Sequence, residues 1–126
     1  MEQSSKVAFD TNMLLNIARF NIDVFEETGK LLGKAEFVVP RQVIQELDKL
    51  SHNGPKTRKE ANVAKILIEK RHVKIVENAE KGADEALRKM APETIIATND
   101  KELKNSVKKL NGKVLYLRQK KKLEIC

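Results

Sequence analysis

Short, apolar, β-prone runs alternate with helix-length segments along the chain, and this alternation constrains its fold more than any other feature. The runs cover residues 6–9, 36–39, 73–76, 94–97 and 114–117. No tight hairpin signal joins them, and each is short and apolar enough for burial on both faces. Strands linked by helices form βαβ units. The sequence therefore predicts an α/β fold, a three-layer α/β/α sandwich around a central parallel sheet of about five strands.

Helix start signals occur between these runs. Asp10 and Thr11 both offer capping oxygens after the first run. Capping boxes, in which a polar cap is followed three residues later by Glu, occur as Asp23 with Glu26, Thr57 with Glu60 and Asn99 with Glu102. If Asn99 caps the last helix, Asp100 is free to point from the strand end into solvent or towards a metal ion.

The length of 126 residues fits one domain. We expect it to span residues 1–117, with 118–126 as a basic tail that belongs to the same domain or is flexible. No apolar run is long enough to cross a bilayer, so we expect a soluble, cytoplasmic protein. Cys126 is the single cysteine. It and the widely separated His52 and His72 offer no zinc-ligand spacing, so any metal would be held mainly by oxygen.

Four acidic residues stand at predicted strand ends or in predicted helices: Asp10, Glu46, Asp84 and Asp100. In open parallel sheets, ligands gather at the carboxyl ends of the strands, where strand order reverses. Two carboxylates that meet there, about 5 Å apart, repel one another by about 3 kcal/mol at an effective dielectric near 20. A divalent cation would offset this repulsion, so the four acids are candidate ligands for one or two Mg²⁺ or Mn²⁺ ions.

Each acid taken alone also has an ordinary structural explanation. Asp10 could cap a helix, and Asp84 would be stabilised by the dipole of the helix that it begins. Glu46 is more informative, because it borders the apolar stripe formed by Val43, Leu47 and Leu50, whereas Asp48 points away from it. Glu46 can therefore reach the sheet edge.

The net charge of +7 is unevenly distributed. Residues 1–63 hold 9 basic and 9 acidic side chains, whereas residues 64–126 hold 16 and 9. Such an excess is typical of a surface that meets phosphate, although a solvated surface would explain it as well. The candidate contacts for a nucleic-acid backbone are Lys56, Arg58, Lys59, Arg118, Lys120, Lys121 and Lys122. The few aromatic residues do not favour a platform for base stacking.

These residues together resemble the PIN-domain nucleases. The family pattern is an Asp-Thr-Asn beside an apolar strand, a helical Glu, a helical Asp and a Thr-x-Asp, which match residues 10–12, Glu46, Asp84 and residues 98–100. The resemblance implies the strand order 3-2-1-4-5 and a metal site formed by the four acids. It also implies that Asn12 and Thr98 orient these carboxylates. Glu102 occupies a place where some relatives have a further acid, but its expected capping role argues against ligation.

The resemblance implies a metal-dependent endoribonuclease that hydrolyses RNA through water. The sequences of residues 10–15, 97–104 and 114–125 look closer to the PIN proteins of ribosomal RNA processing than to VapC-type toxin ribonucleases. A flap-type DNA nuclease and a non-cleaving RNA-binding scaffold subunit remain alternatives. The family likeness also suggests a homodimer, and a toxin would require a cognate antitoxin.

Overall fold

A mostly parallel sheet forms the centre of the computed structural model, which describes residues 5–126. The strands described are β1 (Ser5–Phe9), β2 (Ala35–Pro40), β3 (Lys74–Val76), β4 (Ile95–Ala97), β5 (Val114–Arg118) and β6 (Lys122–Ile125). Their order in the sheet is β3-β2-β1-β4-β5-β6, so β1 lies at the centre, between β2 and β4. All pairings are parallel except that of β5 with β6. The predicted α/β class and the order 3-2-1-4-5 are confirmed.

Helices cover both faces of the sheet. They are α1 (Thr11–Arg19), α2 (Val24–Leu32), α3 (Arg41–Leu50), α4 (Pro55–Lys70), α5 (Ala83–Met90) and α6 (Lys101–Lys109). None of the helices described within residues 5–126 has the length and apolar character that a membrane span needs.

Successive side chains of each strand point to opposite faces of the sheet, and this divides the core into two layers. Val7 and Phe9 of β1 pack with buried residues of α1, α2, α3 and α4 on one face. Ala8 faces the other side, where it packs with Leu87 of α5 and with Leu103 and Val107 of α6. Strands that are buried on both faces explain why the predicted runs are continuously apolar.

Of the caps predicted for α2 and α4, the first is confirmed and the second is wrong. Asp23 caps α2 as expected, since its carboxylate accepts from the backbone N–H groups of Phe25 and Glu26. The Thr57 and Glu60 capping box is wrong, because α4 already begins at Pro55. Glu60 is instead buried and accepts from Arg19 of α1 at 3.1 Å.

The segment that was expected to be a basic tail contributes a sixth strand. β6 pairs antiparallel with β5, with Leu117 opposite Leu123. The connection is three residues long, because Arg118 pairs with Lys122, and φ is positive at Gln119 and Lys120, as at the two central residues of a type I′ turn. Such turns usually carry Asn-Gly or Asp-Gly, so this hairpin has no recognisable sequence signal. Leu123 is buried against the core, which fixes the strand in place.

Gly112 packs closely beneath α6, and substitution there should destabilise the fold. A Cβ at this position would lie 2.7 Å from Val107 Cγ1 and 3.1 Å from the Val107 carbonyl oxygen. Gly112→Ala should therefore cost about 1–3 kcal/mol of unfolding free energy. Gly29→Ala is the matched control, because a Cβ there meets nothing within 4 Å. It should stabilise α2 by up to about 1 kcal/mol. Urea unfolding measures both, and equal effects of the two substitutions would contradict this packing.

Candidate active site

An open cleft at the carboxyl ends of β1 and β4 brings the four predicted acids together. Its volume is about 360 Å³. The lining residues are Asp10, Thr11, Asn12, Glu46, Lys49, Leu50, Ala83, Asp84 and Asp100. We call this the acidic cleft. Residues from the starts of α1, α5 and α6 and from the last two turns of α3 meet there, although they are up to 90 positions apart in sequence.

Asp10 is the most buried of the four acids, with 7% of its surface exposed. It follows β1 directly, and its backbone N–H donates to the Ala97 carbonyl of β4 at 3.1 Å. One carboxylate oxygen accepts from the backbone N–H of Met13 at 2.7 Å and so caps α1. The other accepts from the Thr98 hydroxyl. Both oxygens are therefore fixed by the protein.

Thr98 connects the ends of the two central strands. It is fully buried, donates to Asp10 and accepts from the backbone N–H of Asp100 at 3.0 Å. The orienting role that the family resemblance implies for Thr98 stays a prediction, and these contacts with Asp10 and Asp100 are compatible with it. Asn12 lies on the cleft wall, and its side chain makes no hydrogen bond to a carboxylate within residues 5–126.

The environment of Asp10 disfavours its charged form. Burial raises its pKa from the ordinary value of 3.8 to about 6. The hydrogen bonds from Thr98 and Met13 oppose this shift, whereas the negative charges of Asp84 and Asp100 add to it. Asp10 therefore stands among like charges that no nearby cation fully compensates, and a bound divalent ion would lower its pKa again.

The prediction that Asn99 caps α6 is wrong, because Asp100 occupies the cap itself. Its Oδ1 accepts from the backbone N–H groups of Glu102 at 2.8 Å and Leu103 at 3.1 Å. Asn99 instead forms two hydrogen bonds with the backbone of Leu117 in β5. Both cap bonds use Oδ1, so Oδ2 of Asp100 has no donor within the described part of the chain. Asp100 can thus cap α6 and still face the cleft.

Glu46 and Asp84 are exposed and face the cleft from helices on opposite sides. Glu46 accepts a hydrogen bond from the Thr11 hydroxyl. Its position beside the buried Val43 and Leu47 agrees with the predicted helix face. Asp48 lies outside the cleft lining and pairs with Lys65. Glu102 also lies outside it and is exposed.

None of the predicted phosphate contacts lines the acidic cleft. Lys56, Arg58 and Lys59 stand in the first turns of α4. Arg118 and Lys122 pair with Glu124, and the Lys120 ammonium lies 5.4 Å from the centroid of the Phe20 ring.

The basic residue that does line the cleft, Lys49, was missed. Its spacing could have revealed it, because it follows Glu46 by three positions and so shares its helix face.

The donor set of the cleft fits a hard divalent cation, since four carboxylates contribute oxygen and no sulfur or imidazole takes part. Within residues 5–126, no three acidic, His or Cys side chains already stand together as a ligand set. Glu46 and Asp84 are exposed, and exposed side chains change rotamer readily. Around Asp10 and Asp100, which the starts of α1 and α6 hold, these two side chains have the freedom to close on an ion.

Comparisons with known proteins agree with this geometry. A family model described as a PIN like domain matches residues 7–120. The chain belongs to this PIN-like family. Ribonuclease VapC4 from Methanocaldococcus jannaschii is 34% identical over 125 residues, which cover 95% of each protein.

Two solved structures share the PIN-like fold. The PIN domain endonuclease Utp24 superposes with a TM-score of 0.77 at 24% identity, over 95% of this chain and 90% of the other. A domain of a functionally unknown protein from Methanocaldococcus jannaschii superposes with a TM-score of 0.63 at 22% identity, over 91% and 92% of the two chains. At such low identities these likenesses establish a common fold and nothing further.

The raised pKa of Asp10 predicts how the substitution Asp10→Asn will act on the stability of this PIN-like domain. The folded-state pKa of about 6 exceeds the ordinary value of 3.8, so the favourable contribution of protonated Asp10 is lost as pH rises through 6. At pH 7.5 the charged, buried carboxylate should disfavour folding by on the order of 3 kcal/mol. Asn keeps the helix cap without the charge.

Chemical unfolding in EDTA at pH 4.5 and pH 7.5 measures this effect. Relative to wild type, Asp10→Asn should be more stable at pH 7.5 than at pH 4.5. A stability difference that does not change with pH would show that burial does not penalise the charge of Asp10.

Proposed function

We propose that this PIN-like domain is a metal-dependent endoribonuclease. The observation that carries the proposal is the convergence of Asp10, Glu46, Asp84 and Asp100 on one open cleft. Four carboxylates placed together create a strongly negative site, which would repel a phosphodiester unless cations were bound. One or two Mg²⁺ or Mn²⁺ ions would offset half or all of this charge and let the scissile phosphate enter.

The four carboxylates differ in how firmly the protein holds them. Thr98 and the start of α1 fix Asp10, and the start of α6 holds one oxygen of Asp100. These two provide the rigid part of the site. Glu46 and Asp84 are exposed and adjust to the ions and the substrate. Release of Glu46 from the Thr11 hydroxyl is part of that adjustment.

Hydrolysis in this cleft would proceed by in-line attack of water on phosphorus. When bound, the divalent ions supply Lewis acidity, which lowers the pKa of the attacking water and stabilises the departing oxygen. The bond from water oxygen to phosphorus forms as the bond from phosphorus to the 3′-oxygen breaks. The products are a 5′-phosphate and a 3′-hydroxyl, and no covalent enzyme intermediate is needed. The two histidines, His52 and His72, lie outside the cleft lining, so no histidine is assigned as general base.

RNA is favoured as the substrate because the relative at 34% identity is named a ribonuclease and aligns over 95% of this chain. The basic surfaces at the start of α4 and along the β5–β6 hairpin would contact the RNA backbone further from the scissile bond. Their proposed residues are Lys56, Arg58, Lys59, Arg118, Lys120, Lys121 and Lys122.

Cleavage assays with Mn²⁺ or Mg²⁺ test the proposed activity. Wild-type protein should cut RNA oligonucleotides when the ion is present and not in EDTA. Asp84→Asn and Glu46→Gln should each lower the rate at least about a hundredfold, because each removes a carboxylate that offsets the ionic charge. Asp48→Asn is the matched control. It lies two positions from Glu46 on the same helix but outside the cleft, so its rate should equal that of wild type.

The same assay separates the competing functions. Unchanged cleavage by Asp84→Asn would contradict the assignment of all four acids as metal ligands. Faster cleavage of flap-shaped DNA than of RNA would identify a DNA nuclease instead. RNA binding with no cleavage at any tested concentration of Mn²⁺ or Mg²⁺ would identify a non-cleaving RNA-binding subunit.

Two biological roles compete, and each has its own support. The sequences of residues 10–15, 97–104 and 114–125 favour ribosomal RNA processing, whereas the likeness to VapC4 favours a VapC-type toxin. We favour processing, so induced wild-type protein should leave bacterial growth unchanged while the purified protein cuts structured RNA. Growth arrest that Asp84→Asn abolishes would support the toxin, and a cognate antitoxin would then be expected.

A further inference from the structure

A second, smaller cleft adjoins the acidic one. Its volume is about 230 Å³. Gln42, Gln45, Glu46, Lys49, Lys81, Gly82 and Ala83 line it. We call it the side cleft. Glu46, Lys49 and Ala83 also line the acidic cleft, so the two spaces share a wall. A nucleic-acid strand that lies in the acidic cleft could therefore continue into the side cleft.

The charge of the side cleft differs from that of its neighbour. Its two cations, Lys49 and Lys81, face one acid, Glu46, whereas the acidic cleft sets four acids against Lys49 alone. The ion pairs formed within residues 5–126 include neither lysine. Nearby Lys65 and Lys89, by contrast, pair with Asp48 and Glu80. The side cleft thus carries cations that have no carboxylate partner.

A buried glutamine joins the two segments that carry these lysines. Lys49 belongs to α3, whereas Lys81 belongs to the loop before α5. Gln42 of α3 is 8% exposed and donates to Asn78 Oδ1 and to the Glu80 carbonyl, each at 2.6 Å. Asn78 donates back to Gln42 at 2.9 Å. The loop is therefore fixed against α3, and Lys81 keeps its place opposite Lys49.

We propose that the side cleft binds the backbone phosphate next to the scissile one, with Lys49 and Lys81 as its cationic walls. This inference rests on the proposed nuclease function. Ammonium groups serve phosphates as point charges, and phosphate contacts of this kind set the register of a nucleic acid without reading its sequence. Because Lys49 lines both clefts, it lies between the two phosphates. The side cleft positions the strand, and the acidic cleft cuts it.

Binding of a fluorescein-labelled oligouridine to the full chain tests the proposal. The measurements use Asp84→Asn protein with Mn²⁺, so that cleavage does not consume the probe. Adding Lys49→Gln and Lys81→Gln together should weaken binding roughly tenfold at low salt and reduce the salt slope by about 1. Both lysines are exposed, so circular dichroism should show an unchanged fold.

Lys6→Gln and Lys113→Gln together, in the same Asp84→Asn background, are the matched control. They also remove two exposed lysines, from a cleft at the amino ends of the strands that Ser5 and Ile95 line. Their effect on oligouridine binding should be less than twofold. A loss as large as that of the side-cleft substitutions would reduce Lys49 and Lys81 to general surface charge and overturn the proposal.

A series of probes, each with one uncharged methylphosphonate, locates the phosphate. A methylphosphonate at one particular position should weaken binding when Lys49 and Lys81 are present. The same probe should show no further loss of binding when both lysines are replaced. Absence of such a position overturns the side cleft as a phosphate site. If wild-type protein does not cleave RNA yet this coupling is found, the side cleft stands and the nuclease proposal fails. If wild-type protein cleaves RNA but no such coupling is found, the nuclease proposal stands and the side-cleft proposal fails. If neither the wild-type protein nor any variant binds the oligouridine, both proposals fail.

Discussion

Parallel pairing of β1 with β4 is the constraint on which the site depends. The backbone N–H of Asp10 continues this pairing by donating to Ala97 at 3.1 Å, and the Thr98 side chain then reaches Asp10. These contacts carry Asp10 to the sheet edge while keeping it nearly buried. A carboxylate placed in this way resists ionisation, and its neighbours Asp84 and Asp100 add to the cost. Folding thus brings carboxylates close together, and a bound cation would offset the repulsion between them.

Two of the side chains that cap helices in this domain also line the acidic cleft. Asp10 caps α1 and Asp100 caps α6, yet both line the acidic cleft. A carboxylate has two oxygens with several lone pairs, so satisfying a backbone N–H leaves capacity for another ligand. The structural and functional explanations of these acids are therefore compatible. The helix starts also fix the carboxylate orientation, which a metal site needs before any ion arrives.

The fold was more predictable from the sequence than the site. Five strands, their parallel order and the helix that carries Glu46 followed from apolar runs, helix periodicity and family resemblance. β6 was missed because Gln119 and Lys120 adopt positive φ without the usual turn residues. The cap of α6 was misassigned because Asn99 and Asp100 both suit a cap. Asn99 instead pairs with the backbone of Leu117, 18 residues away.

The sequence by itself determined which groups this chain offers for chemistry: four carboxylates, no usable thiol or imidazole cluster, and a basic second half. Short-range patterns suffice for this because strand ends, helix faces and caps depend on neighbouring residues. Only the tertiary structure decided that the four acids meet, that burial raises the pKa of Asp10 to about 6, and that Lys49 and Lys81 share a cavity. Those properties depend on desolvation and on distances between residues far apart in the chain, which local sequence patterns do not encode.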